Sequence, residues 1–105
     1  NILLDPNPFS PDGDSFDDEL RISYSLPFAQ AYLTMLIFDS MGREVRTLAR
    51  NLVTGAEGIL TWDGRFDDGN RARIGIYIIK VEAVDKSTGQ SVEWVKTAVL
   101  AEVLR

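Results

Sequence analysis

Apolar and polar residues alternate over several short stretches of this chain, and turn-forming residues separate them at fairly regular intervals. That is the signature of an all-β sandwich or barrel. In "LRISYSL", Leu20, Ile22, Tyr24 and Leu26 share one face, with Arg21, Ser23 and Ser25 on the other. Pro27 then ends the strand, because proline has no N–H to donate to a ladder. Residues 31–39, "AYLTMLIFD", are apolar on both faces, which predicts a central strand covered on both sides. Ser40, Met41, Gly42 and Arg43 form a turn. In "GILTWDG", Leu60 and Trp62 point one way and Ile59 and Thr61 the other. Residues 75–85 set Tyr77, Ile79, Val81 and Ala83 against Ile76, Ile78, Lys80 and Glu82, a second face that is apolar at one end and charged at the other. Lys86 to Gly89 make a hairpin turn, and residues 91–100 return as its partner. With a short first strand at Ile2–Leu4, the pattern predicts six or seven strands in one domain spanning residues 1–105.

One segment reads two ways. In "VRTLARNLV", Val45, Leu48, Ala49 and Leu52 follow the spacing of an amphipathic helix. A stretch this short draws little stability from helix propensity, and it lies between strands. The favoured reading is a strand from Glu44 to about Arg50.

Composition narrows the function. Hydrophobic residues make up 45% and charged residues 26%, the balance of a folded chain rather than a disordered one. The net charge of -5 and the scattered basic residues, with only a loose group at Arg43, Arg46 and Arg50, argue against a nucleic-acid partner. No apolar run reaches the roughly 20 residues of a membrane helix, and "NILLDPNPF" lacks the basic head and cleavage site of a signal peptide. With no cysteine there are no disulfides or thiolate metal sites. With no histidine, the usual general base is missing too. Any serine nucleophile would lack an evident base, and the acids fall in turns rather than on rigid strands, so enzymatic activity is not expected.

The acids themselves cluster in two places. Asp12, Asp14, Asp17 and Asp18, followed by Glu19, are hard oxygen donors of the kind calcium takes. Their spacing is not that of an EF-hand, and the alternative is a solvated turn whose carboxylates bond their own backbone amides. Mutual repulsion of Asp17, Asp18 and Glu19 is the argument for a cation. In "WDGRFDDGN", Asp63, Asp67, Asp68 and Asn70 are accounted for by turn chemistry, with a second ion site as the lesser reading. Trp62 is expected in the core. Trp94, with Tyr32, Tyr77 and Trp62, could supply a stacking platform for a glycan, against the simpler reading that Trp94 covers the sandwich edge.

Five stretches together carry a resemblance: "PNPFSPDGD", "ISYSLP", "IFDSMGREVRTL", "TWDGRFDDGN" and "GIYIIKVEA". Their order resembles that of two related bacterial groups. One is the immunoglobulin-like domain of the flagellar hook-capping protein and its non-flagellar relatives. The other is the C-terminal sorting domain of proteins exported by type IX secretion. The resemblance implies an immunoglobulin-like antiparallel β-sandwich of about seven strands, at or near the end of a larger exported protein. Its marker residues here are Pro6, Asn7, Pro8, Gly42, Val45, Gly75, Tyr77 and Lys96. Two departures, the acidic "SPDGDSFDDE" and the full-length "DGRFDDGN", lean toward the hook-capping branch.

The resemblance therefore implies a non-catalytic accessory domain, secreted or placed on the cell surface by way of the periplasm. Its expected partners are the secretion machinery or neighbouring domains of the parent protein, reached through exposed strand edges. No membrane insertion and no cofactor is expected beyond the calcium alternative. The competing reading is a carbohydrate-binding or calcium-stabilised adhesion module.

Overall fold

The computed structural model describes residues 1–11 and 18–102. Among these residues five strands form: β1 (Ile2–Asp5), β2 (Leu20–Phe38), β3 (Glu44–Trp62), β4 (Gly75–Asp85) and β5 (Ser91–Leu100). All pairings between them are antiparallel, and β2 is the hub, pairing with β1, β3 and β4. The chain is all-β and adopts an immunoglobulin-like sandwich, as the alternation and the resemblance imply.

The strand count differs from the expected seven, and the reason lies in two long strands. β2 and β3 run 19 residues each, so each joins two segments that look separate in sequence. Leu20–Ser25 pairs with β1 on one side and with Glu57–Trp62 on the other. Ala31–Phe38 pairs with β4 on one side and with the first half of β3 on the other. One layer is thus β1, the start of β2 and the end of β3. The second is the start of β3, the end of β2, β4 and β5.

Pro27 does not end its strand. The β2–β3 ladder lapses between Ser25 and Gln30, so the missing proline N–H falls where no ladder bond is called for. The chain stays extended through this corner, with Leu26 and Phe28 tucked inward. The helix-like segment is strand, as favoured, and runs well past Arg50. Register shifts around Met35 insert extra β3 residues. They let Val45, Leu48 and Ala49 all pack against the core despite helical spacing. Leu52, the last member of that pattern, is exposed.

The core forms one cluster between the layers. Leu20, Ile22, Tyr24 and Trp62 come from the first layer, and Leu33, Met35, Ile37, Ile79 and Val81 from the second. Trp62 is fully buried and touches Phe9 and Tyr77, with ring centroids 5.4 and 5.2 Å apart. Its indole N–H donates to the Arg65 carbonyl at 2.8 Å, so burial leaves no polar group orphaned there. The central strand is not covered on both sides as expected. Leu33, Met35 and Ile37 are buried, whereas Tyr32, Leu36 and Phe38 on the outer face are only half-buried.

Candidate functional site

Three separated stretches of sequence meet at one end of the sandwich. The first is the segment from Pro6 to Phe9, which leaves β1 in one layer and crosses to the outer edge of β5 in the other. Both X–Pro bonds here, Asp5–Pro6 and Asn7–Pro8, are cis. Between the prolines, the Asn7 side chain behaves like a peptide group. Its Nδ2 donates to the Thr97 carbonyl at 3.1 Å, and its Oδ1 accepts from the Val99 N–H at 2.9 Å. Phe9 continues the pairing through its backbone, donating to the Val99 carbonyl at 3.0 Å and accepting from Ala101 at 2.8 Å. The Phe9 ring is buried against Trp62. The strap is therefore held by polar bonds at the rim and by an aromatic anchor in the core.

The second stretch is the β2–β3 turn. The Asp39 carboxylate accepts from the Met41 and Arg43 amides at 2.9 and 3.0 Å, and from Arg43 Nε at 2.9 Å. The Arg43 amide, more than the other groups, holds the Asp39 carboxyl below its ordinary value. Gly42 closes the turn at φ +83°, donating to the Asp39 carbonyl. The third stretch opens β4. Gly75 has φ +152°, a conformation that side-chain-bearing residues rarely adopt. Two residues on, Tyr77 is buried and its hydroxyl donates to the Arg73 carbonyl at 2.6 Å. Burial, with the Asp39 charge second, raises the Tyr77 hydroxyl above its ordinary range.

The turn and the β4 start line a cleft of about 620 Å³. Arg43, Arg71 and Arg73 bring guanidinium groups to it, Asp39 and Asp68 bring carboxylates, and Met41, Ile74 and Ile76 add exposed apolar surface. The two carboxylates are engaged in turns: Asp68 accepts from the Asn70 amide at 2.9 Å as Asp39 does from its own turn. The arrangement offers shape, charge and apolar contact to another molecule.

The marker residues sort into this picture unevenly. Pro6, Asn7, Pro8, Gly42, Gly75 and Tyr77 belong to the strap, the turn and the β4 start. Val45 lies one step along β3, where its carbonyl accepts from the Asp67 amide at 2.9 Å. Lys96 sits apart, half-buried on the β5 face that it shares with Ile79. Of the proposed calcium ligands, Asp12, Asp14 and Asp17 lie outside the described residues. Asp18 borders a small cavity shared with Asp63, Arg65 and Arg71. Among the described residues, no three acidic side chains converge as metal ligands would.

The second acidic stretch is spent on turns. Asp63 accepts from the Arg65 amide at 3.0 Å and meets Arg46 at 3.4 Å. Asp67 accepts from the Thr47 amide at 3.1 Å. The aromatic residues do not gather into a platform: Trp62 and Tyr77 are core, while Trp94 and Tyr32 lie on opposite faces of their sheet. Trp94 is half-buried and packs against the core.

Sequence comparison places this architecture. The model of the FlgD Ig-like domain family matches residues 11–87, well over half of the chain. The chain belongs to the FlgD Ig-like domain family. Comparison with curated proteins gives no match. Among solved structures, the fold is similar to part of PorZ, an essential bacterial surface component of the type IX secretion system of Porphyromonas gingivalis. The TM-score is 0.57 at 22% identity, covering 97% of this chain and 12% of PorZ. The chain thus corresponds to a small part of that larger protein, and the likeness is one of fold.

Sequence reasoning picked out Pro6–Pro8, Gly42, Gly75 and Tyr77 as marks of resemblance, Gly42 also as a turn residue and Tyr77 also as a strand-face residue and a member of the glycan-platform alternative. It missed what Asn7 does and missed the arginine-lined cleft. Arg71 and Arg73 stand in "NRARIG", and their alternation was the available signal.

Proposed function

We propose that this FlgD Ig-like domain is a non-catalytic accessory module of a larger exported bacterial protein, and that it directs its parent through type IX secretion. The observation that carries the reading is the convergence of the marker residues. Pro6 to Pro8, Gly42, Gly75 and Tyr77 are far apart in sequence, yet they build the strap, the turn and the strand start at one end of the fold. A surface assembled in this way suits recognition of the folded domain rather than of a linear tag. The fold likeness to part of a type IX surface component supports the same view, and the lack of histidine and cysteine in the chain fits its non-catalytic side. The partners are then the secretion machinery and the neighbouring domains of the parent, and the destination is the cell surface or the medium.

The test is a reporter fused to residues 1–105 and expressed with a leader peptide in a host that has type IX secretion. The fusion should reach the surface or medium, and the reporter alone should remain periplasmic. A folded fusion retained in the periplasm would refute the sorting role and leave a structural module of the hook-capping kind.

A further inference from the structure

Among the described residues, strands β1, β3 and β5 each have an edge with no neighbouring strand, and two of these edges are blunted. β1 is only four residues long. β3 is bent by register shifts and by Asn51 at φ +51°, and Asp67 bonds its Val45 carbonyl and Thr47 amide. A long edge without such devices is a template for another strand. β5 is of that kind: it pairs with β4 from Ser91 to Leu100 without a register shift. In an antiparallel ladder, alternate residues turn their backbone groups to opposite edges. The bonds from Asn7 to Thr97 and Val99 show that the odd-numbered residues of β5 face outward. The strap covers this edge from Thr97 to Ala101 and goes no further. Ser91, Glu93 and Val95 therefore direct N–H and C=O groups away from the sheet, and among the described residues no strand pairs with them.

Side chains beside the open edge specify its occupant. Glu93 stands directly across from Glu82 on β4, a like-charge pair that destabilises a ladder. Lys80 Nζ reaches the Glu93 carboxylate at 3.6 Å, and Glu82 adds a second carboxylate to the same face. Val95, across from Lys80, is 59% exposed. A second copy of this chain, added antiparallel about Glu93, would bring two Glu93 carboxylates face to face. A strand with a lysine or arginine opposite Glu93 instead extends the row with the missing charge. We propose that the Ser91–Val95 edge of β5 is a docking site for an extended segment of a partner protein, with a basic residue opposite Glu93 and an apolar one opposite Val95. The inference stands apart from the export role, since it concerns what binds the folded domain whichever route delivers it.

The test uses the 105-residue chain and two alternating threonine–valine peptides of about seven residues, an ordinary strand length. One has a central lysine, the other a central glutamate, and both are N-methylated along one edge so that they cannot stack. Amide shifts and exchange are followed by NMR at millimolar peptide. The lysine peptide should protect the Glu93 and Val95 amides and bind about fivefold or more tightly than the glutamate peptide. Glu93→Lys should reverse that order. No protection at Glu93 and Val95, protection without a charge preference, or an order that Glu93→Lys leaves unchanged would each overturn the proposal. Self-association through β5, seen as concentration-dependent protection without peptide, would overturn it in favour of a second copy.

Discussion

Asn7 takes part in a sheet through its side chain. One N–H of the carboxamide and its carbonyl oxygen stand in the spacing of a peptide group, so the side chain bridges Thr97 and Val99 as a neighbouring strand would. The backbone at this point is occupied by prolines, which cannot donate, and the side chain takes over the task. Asn7→Ala should cost about 1–2 kcal/mol in urea denaturation, the worth of two such bonds. It should also speed exchange of the Val99 amide while leaving the β4-facing Ala98 amide slow. Equal acceleration at both would mean that Asn7 does not act locally. A second residue-scale constraint is Gly58, directly across from Tyr24. A Cβ at Gly58 would run into the Tyr24 ring, whose hydroxyl is held by Thr54 Oγ1 at 2.6 Å. Gly58→Ala should therefore destabilise by about 1–3 kcal/mol, the range of overpacking. Tyr24→Leu should make the second substitution nearly neutral. Additive losses in the double variant would contradict the steric account.

At the scale of elements, β4 and β5 were legible to the residue, because each alternates between a more buried and a more exposed face, with a plain hairpin turn between them. β2 and β3 were not. Pro27 looks like a strand end and Gly58 like a strand start, and only the partner register shows that they occupy or flank a corner through which the chain stays extended. The strap was legible as a motif but not as a device, since its partners lie some ninety residues away. The same limit hid the cleft, which exists only once the Asp39 turn and the β4 start are side by side. Turns, by contrast, were readable, and two of them make a prediction about pH. The Asp85 carboxyl is lowered chiefly by the Thr88 hydroxyl, which donates to it at 2.7 Å, and then by the Ser87 amide. Asp39 is lowered likewise in its own turn. A carboxyl whose folded value lies below its unfolded one stabilises the fold fully above the unfolded value, near 3.8. That contribution is lost as pH falls through the lowered folded values. Urea midpoints of Asp39→Asn with Asp85→Asn should therefore fall less steeply below about pH 4 than those of the parent chain. Parallel slopes would show that these turns carry no such linkage.

For the whole molecule, the decisive feature is that the two layers share β2 and β3. β2 and β3 each run through one layer and on into the other, and the strap ties β1's layer to the edge of β5. The buried contact of Trp62 with Tyr77 joins the layers through the core. A layer cannot then lose its pairing without disturbing strands shared with the other, which predicts a single cooperative transition. Two probes report different parts: Trp62 fluorescence, read in a Trp94→Phe background, the interlayer core, and Val99 amide exchange the β5 edge beneath the strap. Their urea midpoints should coincide in that background. Trp62→Phe should shift the whole transition downward and leave its steepness unchanged, because a cavity in a shared core weakens both layers together. An early loss of the β5 edge, with Trp62 still buried, would show that the strap and the hairpin of β4 and β5 form a separate unit. The long span between paired residues, Phe9 with Leu100 above all, also sets the speed. Refolding should fall in the millisecond-to-second range of sandwiches rather than the microseconds of locally connected folds.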